Sequence, residues 1–452
     1  MINKLKSFLN KGHQRTILAK KNILFSFFIK AFGMVIVFTM ISISIKYLGK
    51  ENYGIWIVLS GLIAWSNVFD LGFSHGLRNR LAEAKAHDNL EIGKYYVSTT
   101  YAFLIAIALI LALVFIPLST YLDWQNILNT KVLDNETIKY TVFIIFSFFI
   151  FHFILKPIAS ILEAFQWPAI SQFITLIGGA LALTTIFYLL TTSMPATLTT
   201  YACVVAGFPV VSFMGASLYF YRTRFKKLTP SIKYVKTKYL KNIAGLGISF
   251  FIIQLSALII FQSDNMIISY LFGPEEVTDY NIVYRYFSII ITLSGVIMAP
   301  FWTAFTDAYQ KKDFIWIQKT MRTLLLLVGV SAIGSLFLLA VSNHVYRLWI
   351  DDTIHIPFSL SLLMAIYVTV FSLMNVFAYF INGIGKVKIQ MLVNSCAAFI
   401  NIPLSYFFAH TLHMKVFGVV LATTISILFI CLFLGIQYIR IIQSKAVGIW
   451  NE

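Results

Sequence analysis

Charge is scarce in this chain. Only 12% of its 452 residues are charged, against 59% hydrophobic, whereas a soluble globule carries about 25% charged residues. That deficit excludes a soluble domain and indicates an integral membrane protein. Cysteine is almost absent as well. Cys203, Cys396 and Cys431 lie in apolar runs and form no CxxC or Cys/His cluster, so neither a disulfide framework nor a thiolate metal site is expected. The chain also has no Gly-rich phosphate loop, Walker pattern, nucleophile elbow or HExxH. No cofactor is therefore expected, and ATP is not the expected direct energy source.

What the chain has instead is length in its apolar runs. Crossing about 30 Å of hydrocarbon at 1.5 Å per residue takes roughly 20 residues. Twelve runs meet that requirement, near 23–45, 54–74, 95–116, 140–162, 169–191, 198–221, 245–271, 280–303, 323–345, 357–381, 388–410 and 416–439. The expected fold class is thus an all-α polytopic membrane protein. The N-terminal "MINKLKSFLNKGHQRTILAKKN" is basic, and the run after it is too long for a signal-peptide core, so it reads as retained, with the first helix a signal anchor.

Most Lys and Arg residues fall on the side shared by both termini, which the positive-inside rule assigns to the cytoplasm. Residues 222–242, "RTRFKKLTPSIKYVKTKYLKN", hold eight basic residues and no acidic one. Topogenic charge and attraction to anionic headgroups explain this run; no nucleic-acid partner is needed to account for a net charge of +17. The opposite side has short loops, the longest about Pro117 to Lys139, which argues against a polymerase or glycosyltransferase with chemistry in a large external loop. The Asn135-Glu136-Thr137 sequon in that loop reads as a chance match.

The basic segment divides the chain into 1–221, a six-helix bundle; 222–244, a cytoplasmic linker; and 245–452, a second six-helix bundle. The halves echo one another. "IKYLGKENYGIW" follows the first run and "ISYLFGPEEVTDYNIV" the seventh, and each is followed by a mixed helix with an amphipathic tail, "NRLAEAKAHDN" or "AFTDAYQKKDF". An even number of spans per half makes the repeat parallel, and two such bundles across a central cleft suit a rocking transporter.

The stretch Tyr47 to Ala84, "YLGKENYGIWIVLSGLIAWSNVFDLGFSHGLRNRLAEA", together with "LDWQNILN" (122–129) and "NGIGKVKIQ" (382–390), resembles the Wzx-type O-antigen and polysaccharide flippases of the multidrug/oligosaccharidyl-lipid/polysaccharide export superfamily. The eighth span carries no Asp-Leu-Gly equivalent of the second. The resemblance implies a bacterial inner-membrane protein, not an enzyme, that moves undecaprenyl-pyrophosphate-linked oligosaccharide repeat units between leaflets by alternating access. It loosely implies proton or sodium coupling, and work beside a polymerase and a chain-length regulator. A multidrug/cation antiporter of the same superfamily is the alternative, and a membrane polysaccharide polymerase a more distant one.

Charges within spans cost about 2.5–3.5 kcal/mol at the centre on insertion scales, so each asks for a partner or a role. Lys30 lies about seven residues into the first span and Asp70 at similar depth on the second, where Asp70 either pairs or caps the helix after Gly72. His152, Lys156 and Glu163 fall near one face of the fourth span, beside a kink expected at Pro157. Asp264 and Arg285 stand at matching depths on the seventh and eighth spans, as a structural ion pair or as a coupling pair. Lys30, Lys156 and Arg285 would make a cleft cationic and suited to a pyrophosphate. Asp264, Asp70, Glu163 and His152 are the ion-coupling candidates. Tyr284, Tyr286 and Trp302 could stack on sugar rings.

Overall fold

A computed structural model describes residues 14–64, 73–244, 247–350 and 356–451. It is built from helices, and eleven of them, among the described residues, are long and apolar enough to cross a membrane. They coincide with eleven of the twelve expected runs. The twelfth, 54–74, begins as a helix, and its residues 65–72, Asp70 included, lie outside the described set.

Two compact units divide the chain. The first comprises Met1–Gly49, Leu62–Trp124 and Asp134–Leu246. Its helices are α1 (Gln14–Leu48), part of α2 (Lys50–Ala64), α3 (Phe73–Ala86), α4 (Leu90–Tyr121), α6 (Asn135–Leu155), α7 (Pro157–Ala164), α8 (Pro168–Thr191), α9 (Leu198–Arg222) and α10 (Thr237–Ala244). The second comprises Lys50–Gly61, Gln125–Leu133 and Gly247–Glu452. It holds the start of α2, most of α5 (Trp124–Leu128), then α11 (Gly247–Phe272), α12 (Pro274–Gln310), α13 (Phe314–Trp349), α14 (Phe358–Ile384), α15 (Lys388–Tyr406) and α16 (Lys415–Ile442).

The helix starts are written locally. Asn89, Asp134, Thr197 and Asp313 each accept a bond from a backbone N–H three residues on, at Ile92, Thr137, Thr200 and Trp316, satisfying donors that the first turn leaves open. Several helices outrun the bilayer. α12 has 37 residues, about 55 Å at 1.5 Å per residue, because "AFTDAYQ" continues it without a break. It ends in a tight turn in which Lys312 takes φ 56° and Asp313 opens α13.

Each unit has its own apolar centre. In the first, Phe73, Leu77 and Leu81 of α3 meet Val97 of α4 and Ile158, Ile161 and Leu162 of α7. In the second, Phe305 of α12, Met321 of α13, Phe380 of α14 and Leu434 of α16 cluster together. Lipid is as apolar as these side chains, so close packing and buried polar bonds, more than hydrophobic transfer, hold such helices together.

Candidate functional site

In the first unit the chemistry gathers where the fourth run breaks. Proline has no N–H and its ring clashes with the preceding turn, so α6 stops at Leu155, Lys156 stands at the joint and α7 starts at Pro157. The Lys156 backbone N–H still donates to His152 O, at 3.0 Å. His152 packs its ring edge-on against Phe213, with centroids 5.0 Å apart, and its Nδ1 has no partner among the described residues. Glu163, at the far end of α7, is ion-paired with Arg78 of α3 at 3.1 Å. Lys30, on α1, is exposed.

The second unit buries a carboxylate. Asp264 of α11 is 1% exposed. Thr423 Oγ1 of α16 lies 2.9 and 3.1 Å from its two oxygens, and Tyr280 OH of α12 donates to Oδ2 at 3.3 Å. Asn401 Nδ2 of α15 donates to Thr423 Oγ1 at 3.1 Å and to Ser426 Oγ at 3.2 Å, while Asn401 Oδ1 has no partner among the described residues. Four helices thus close a polar centre around one acid. Such a charge survives at depth only when it is compensated, and a proton or a small cation is the compensation that can come and go.

Arg285 is not ion-paired with Asp264 among the described residues. It is exposed, within electrostatic reach of the Tyr53 and Tyr284 phenols. One turn of helix separates Tyr284 from Tyr280, so the arginine emerges on a different face of α12 from the tyrosine that meets Asp264. Tyr286 is tied into packing, its OH donating to Leu338 O at 2.9 Å. Trp302 stands edge-on to Tyr379, with centroids 5.9 Å apart.

Thr423, Asn401 and Tyr280 do not stand out in the sequence, because neutral polar residues in apolar runs are common. Nor does a second polar junction, between the two echoed motifs and the 125–133 segment. Lys50 pairs with Asp279 at 2.8 Å, and Thr278 Oγ1 donates to Lys50 O at 2.8 Å. Thr130 donates to Glu51 at 2.6 Å, and Ser269 Oγ donates to Leu128 O at 2.8 Å. Gly49 and Gly273, within the two motifs, each follow the end of a helix with φ of 80° and 93°, a backbone that glycine alone adopts without strain. The signal was present in the repeat itself, in which each motif sets a Gly turn before charged residues.

The fold and these intramembrane polar centres define a polytopic helical membrane protein built from two helical bundles. A family model described as "Polysaccharide biosynthesis protein" matches residues 19–305, more than half of the sequence, and the chain belongs to that family. A MatE model also matches residues 248–407. A Salmonella typhi protein described as an O-antigen transporter is 23% identical over 424 residues, covering 89% of this chain and 92% of its own. A Yersinia pseudotuberculosis protein described as an O-antigen export protein is 23% identical over 378 residues, covering 78% and 80%. Among solved structures, an inward-facing multidrug resistance MATE family transporter of the MOP superfamily superposes with a TM-score of 0.77 at 13% identity, covering 92% of this chain and 96% of that one. The lipid II flippase MurJ superposes with a TM-score of 0.68 at 15% identity, covering 94% and 90%. At those identities the superpositions establish the fold.

Proposed function

We propose that the chain translocates undecaprenyl-pyrophosphate-linked oligosaccharide repeat units, destined for O-antigen, capsule or a related polysaccharide, across the bacterial cytoplasmic membrane. The observation that carries this reading is the near full-length match to relatives described as O-antigen transporters. It acts as a transporter rather than an enzyme, by alternating access, with both termini in the cytoplasm. A polymerase and a chain-length regulator are its expected co-workers.

In this reading Lys30, Lys156 and Arg285 meet the pyrophosphate, the lysines as point charges and the arginine with bidentate geometry available. Tyr284 and Trp302 present ring faces to sugars. Asp264 takes up and releases the coupling ion, its two oxygens already served by Thr423 and Tyr280. Glu163 is engaged with Arg78 and His152 with Phe213, so among the described candidates Asp264 is the better-placed coupling group.

The test is the fate of lipid-linked sugar after deletion of the gene in its own host. Radiolabelled complete repeat units should accumulate on the cytoplasmic leaflet while surface polymer disappears. The MatE match over 248–407 favours a second reading, export of cationic drugs. Normal polymer together with altered sensitivity to cationic compounds would support that reading and defeat the first.

A further inference from the structure

We propose that residues 222–242 form a folded docking platform for anionic phospholipid headgroups. The segment leaves the membrane-crossing helix α9 at Arg222 and is not a loose tether. Phe225 and Leu228 are buried in the apolar centre of the first unit. Ser231 N donates to Ser98 Oγ at 3.1 Å, and Lys236 N donates to Thr99 Oγ1 at 3.2 Å, stitching the segment along α4. Aromatic rings complete the dock. The Lys236 ammonium lies 4.7 Å from the Tyr95 ring centre, Lys94 lies 4.2 Å from that of Tyr234, and Tyr239 stacks on Tyr95 at 5.2 Å.

With Lys236 held on Tyr95, six further cations of the segment, among the described side chains, are turned outward. Arg222, Arg224, Lys226, Lys227, Lys233 and Lys238 are exposed, and none makes an ion pair among the described residues. Holding like charges in one fixed platform is unfavourable unless anions neutralise them. Between Ser231 and Lys233 the platform also lifts Ile232 into the open, 93% exposed. Cations beside an outward apolar side chain, at the end of a membrane-crossing helix, suit the headgroup region: phosphates meet the cations and the upper acyl chains meet Ile232. An acidic protein would satisfy the charge and leave Ile232 without a role.

The test places the full chain in nanodiscs of phosphatidylcholine alone or of phosphatidylcholine mixed with phosphatidylglycerol, and follows hydrogen–deuterium exchange over residues 225–240. Exchange should slow in the mixture and recover at high salt. The slowing should vanish in a Lys226→Glu/Lys227→Glu/Lys233→Glu variant, since the loss of each cation alone weakens lipid binding roughly fivefold and reversal weakens it further. Ile232→Ser should reduce it with the charge intact, and that variant and the salt titration of the wild type stand even if charge reversal prevents insertion. Equal exchange in the two lipids, slowing that survives charge reversal, or slowing that appears only when cytosolic protein is added would each overturn the proposal. The readout is independent of transport, so it stands or falls apart from the proposed function.

Discussion

Thr423 holds Asp264 from the opposite end of the second unit's sequence, its hydroxyl 2.9 Å from Oδ1 and 3.1 Å from Oδ2 across 159 positions. The same hydroxyl accepts from Asn401 Nδ2 at 3.1 Å, so one oxygen links α11, α15 and α16. Thr423→Val removes it, leaving, among the described residues, the Asp264 carboxyl with Tyr280 alone and Asn401 Nδ2 with Ser426 alone. The expected cost is about 1–3 kcal/mol, read as a lower thermal midpoint in detergent, while Thr423→Ser should keep most of the stability. Asp264→Asn should leave the membrane level normal and abolish surface polymer. Polymer at wild-type level in that variant would remove Asp264 from the coupling role.

Binding of the pyrophosphate by Lys30, Lys156 and Arg285 predicts that each change to Ala lowers surface polymer at unchanged protein level. Lys30→Arg and Lys156→Arg should restore part of it, since charge is kept. His152→Phe, which preserves the contact with Phe213, should transport normally. Three silent Ala variants, scored by polymer staining beside immunoblots, would end the cationic reading.

Gly54 is pressed against the turn that opens α12. A Cβ there would lie 1.7 Å from the Pro274 carbonyl oxygen and 2.5 Å from its carbon. Backbone cannot yield as a side-chain tip can. Gly54→Ala should therefore cost more than the usual overpacking range of about 1–3 kcal/mol, seen as loss of folded protein on size-exclusion chromatography.

Lys50→Ala would leave Asp279, only 7% exposed, without its cation. Removing one member of a buried pair costs about 3–5 kcal/mol, and because Lys50 is itself 31% exposed, about 1–3 kcal/mol is expected here. The double variant Lys50→Met/Asp279→Leu should recover much of the loss. A thermal-unfolding cycle over the wild type, Lys50→Met, Asp279→Leu and the double variant gives the coupling.

Asp134 lies outside the membrane spans and caps α6. Its side chain accepts from Thr137 Oγ1 at 2.6 Å and Thr137 N at 3.0 Å; these bonds, the hydroxyl first, hold its carboxyl below the usual value of 3.8. A depressed folded value means the cap stabilises above the unfolded value and fades as pH falls through the folded one. Amide exchange at Thr137 should therefore quicken as pH drops below that range, after correction for intrinsic rates. Asp134→Asn should flatten the dependence, because an amide caps without titrating.

Much of the fold is legible because each part of it has a local cause. Runs of roughly 20 apolar residues fix crossing helices, Pro157 fixes the break between α6 and α7, and Asn89, Asp134 and Asp313 fix helix starts. The site is only half legible. Charge in an apolar run announces itself through its insertion cost, which brings out Asp264, Lys156 and Arg285 by inspection. Its partner does not announce itself: depth alone suggested Arg285 for Asp264, and the packed helices supply Thr423 and Tyr280 instead.

By itself, then, the sequence determined a polytopic helical membrane protein, where its helices begin and break, and which side chains cannot sit in lipid without a reason. The tertiary structure decided which polar groups meet. Glu163 finds Arg78 across 85 positions and Lys50 finds Asp279 across 229. Helical periodicity sets the face on which a residue stands and its depth along the axis; which neighbour fills the space opposite depends on how close-packed helices rotate about one another, and no single helix encodes that.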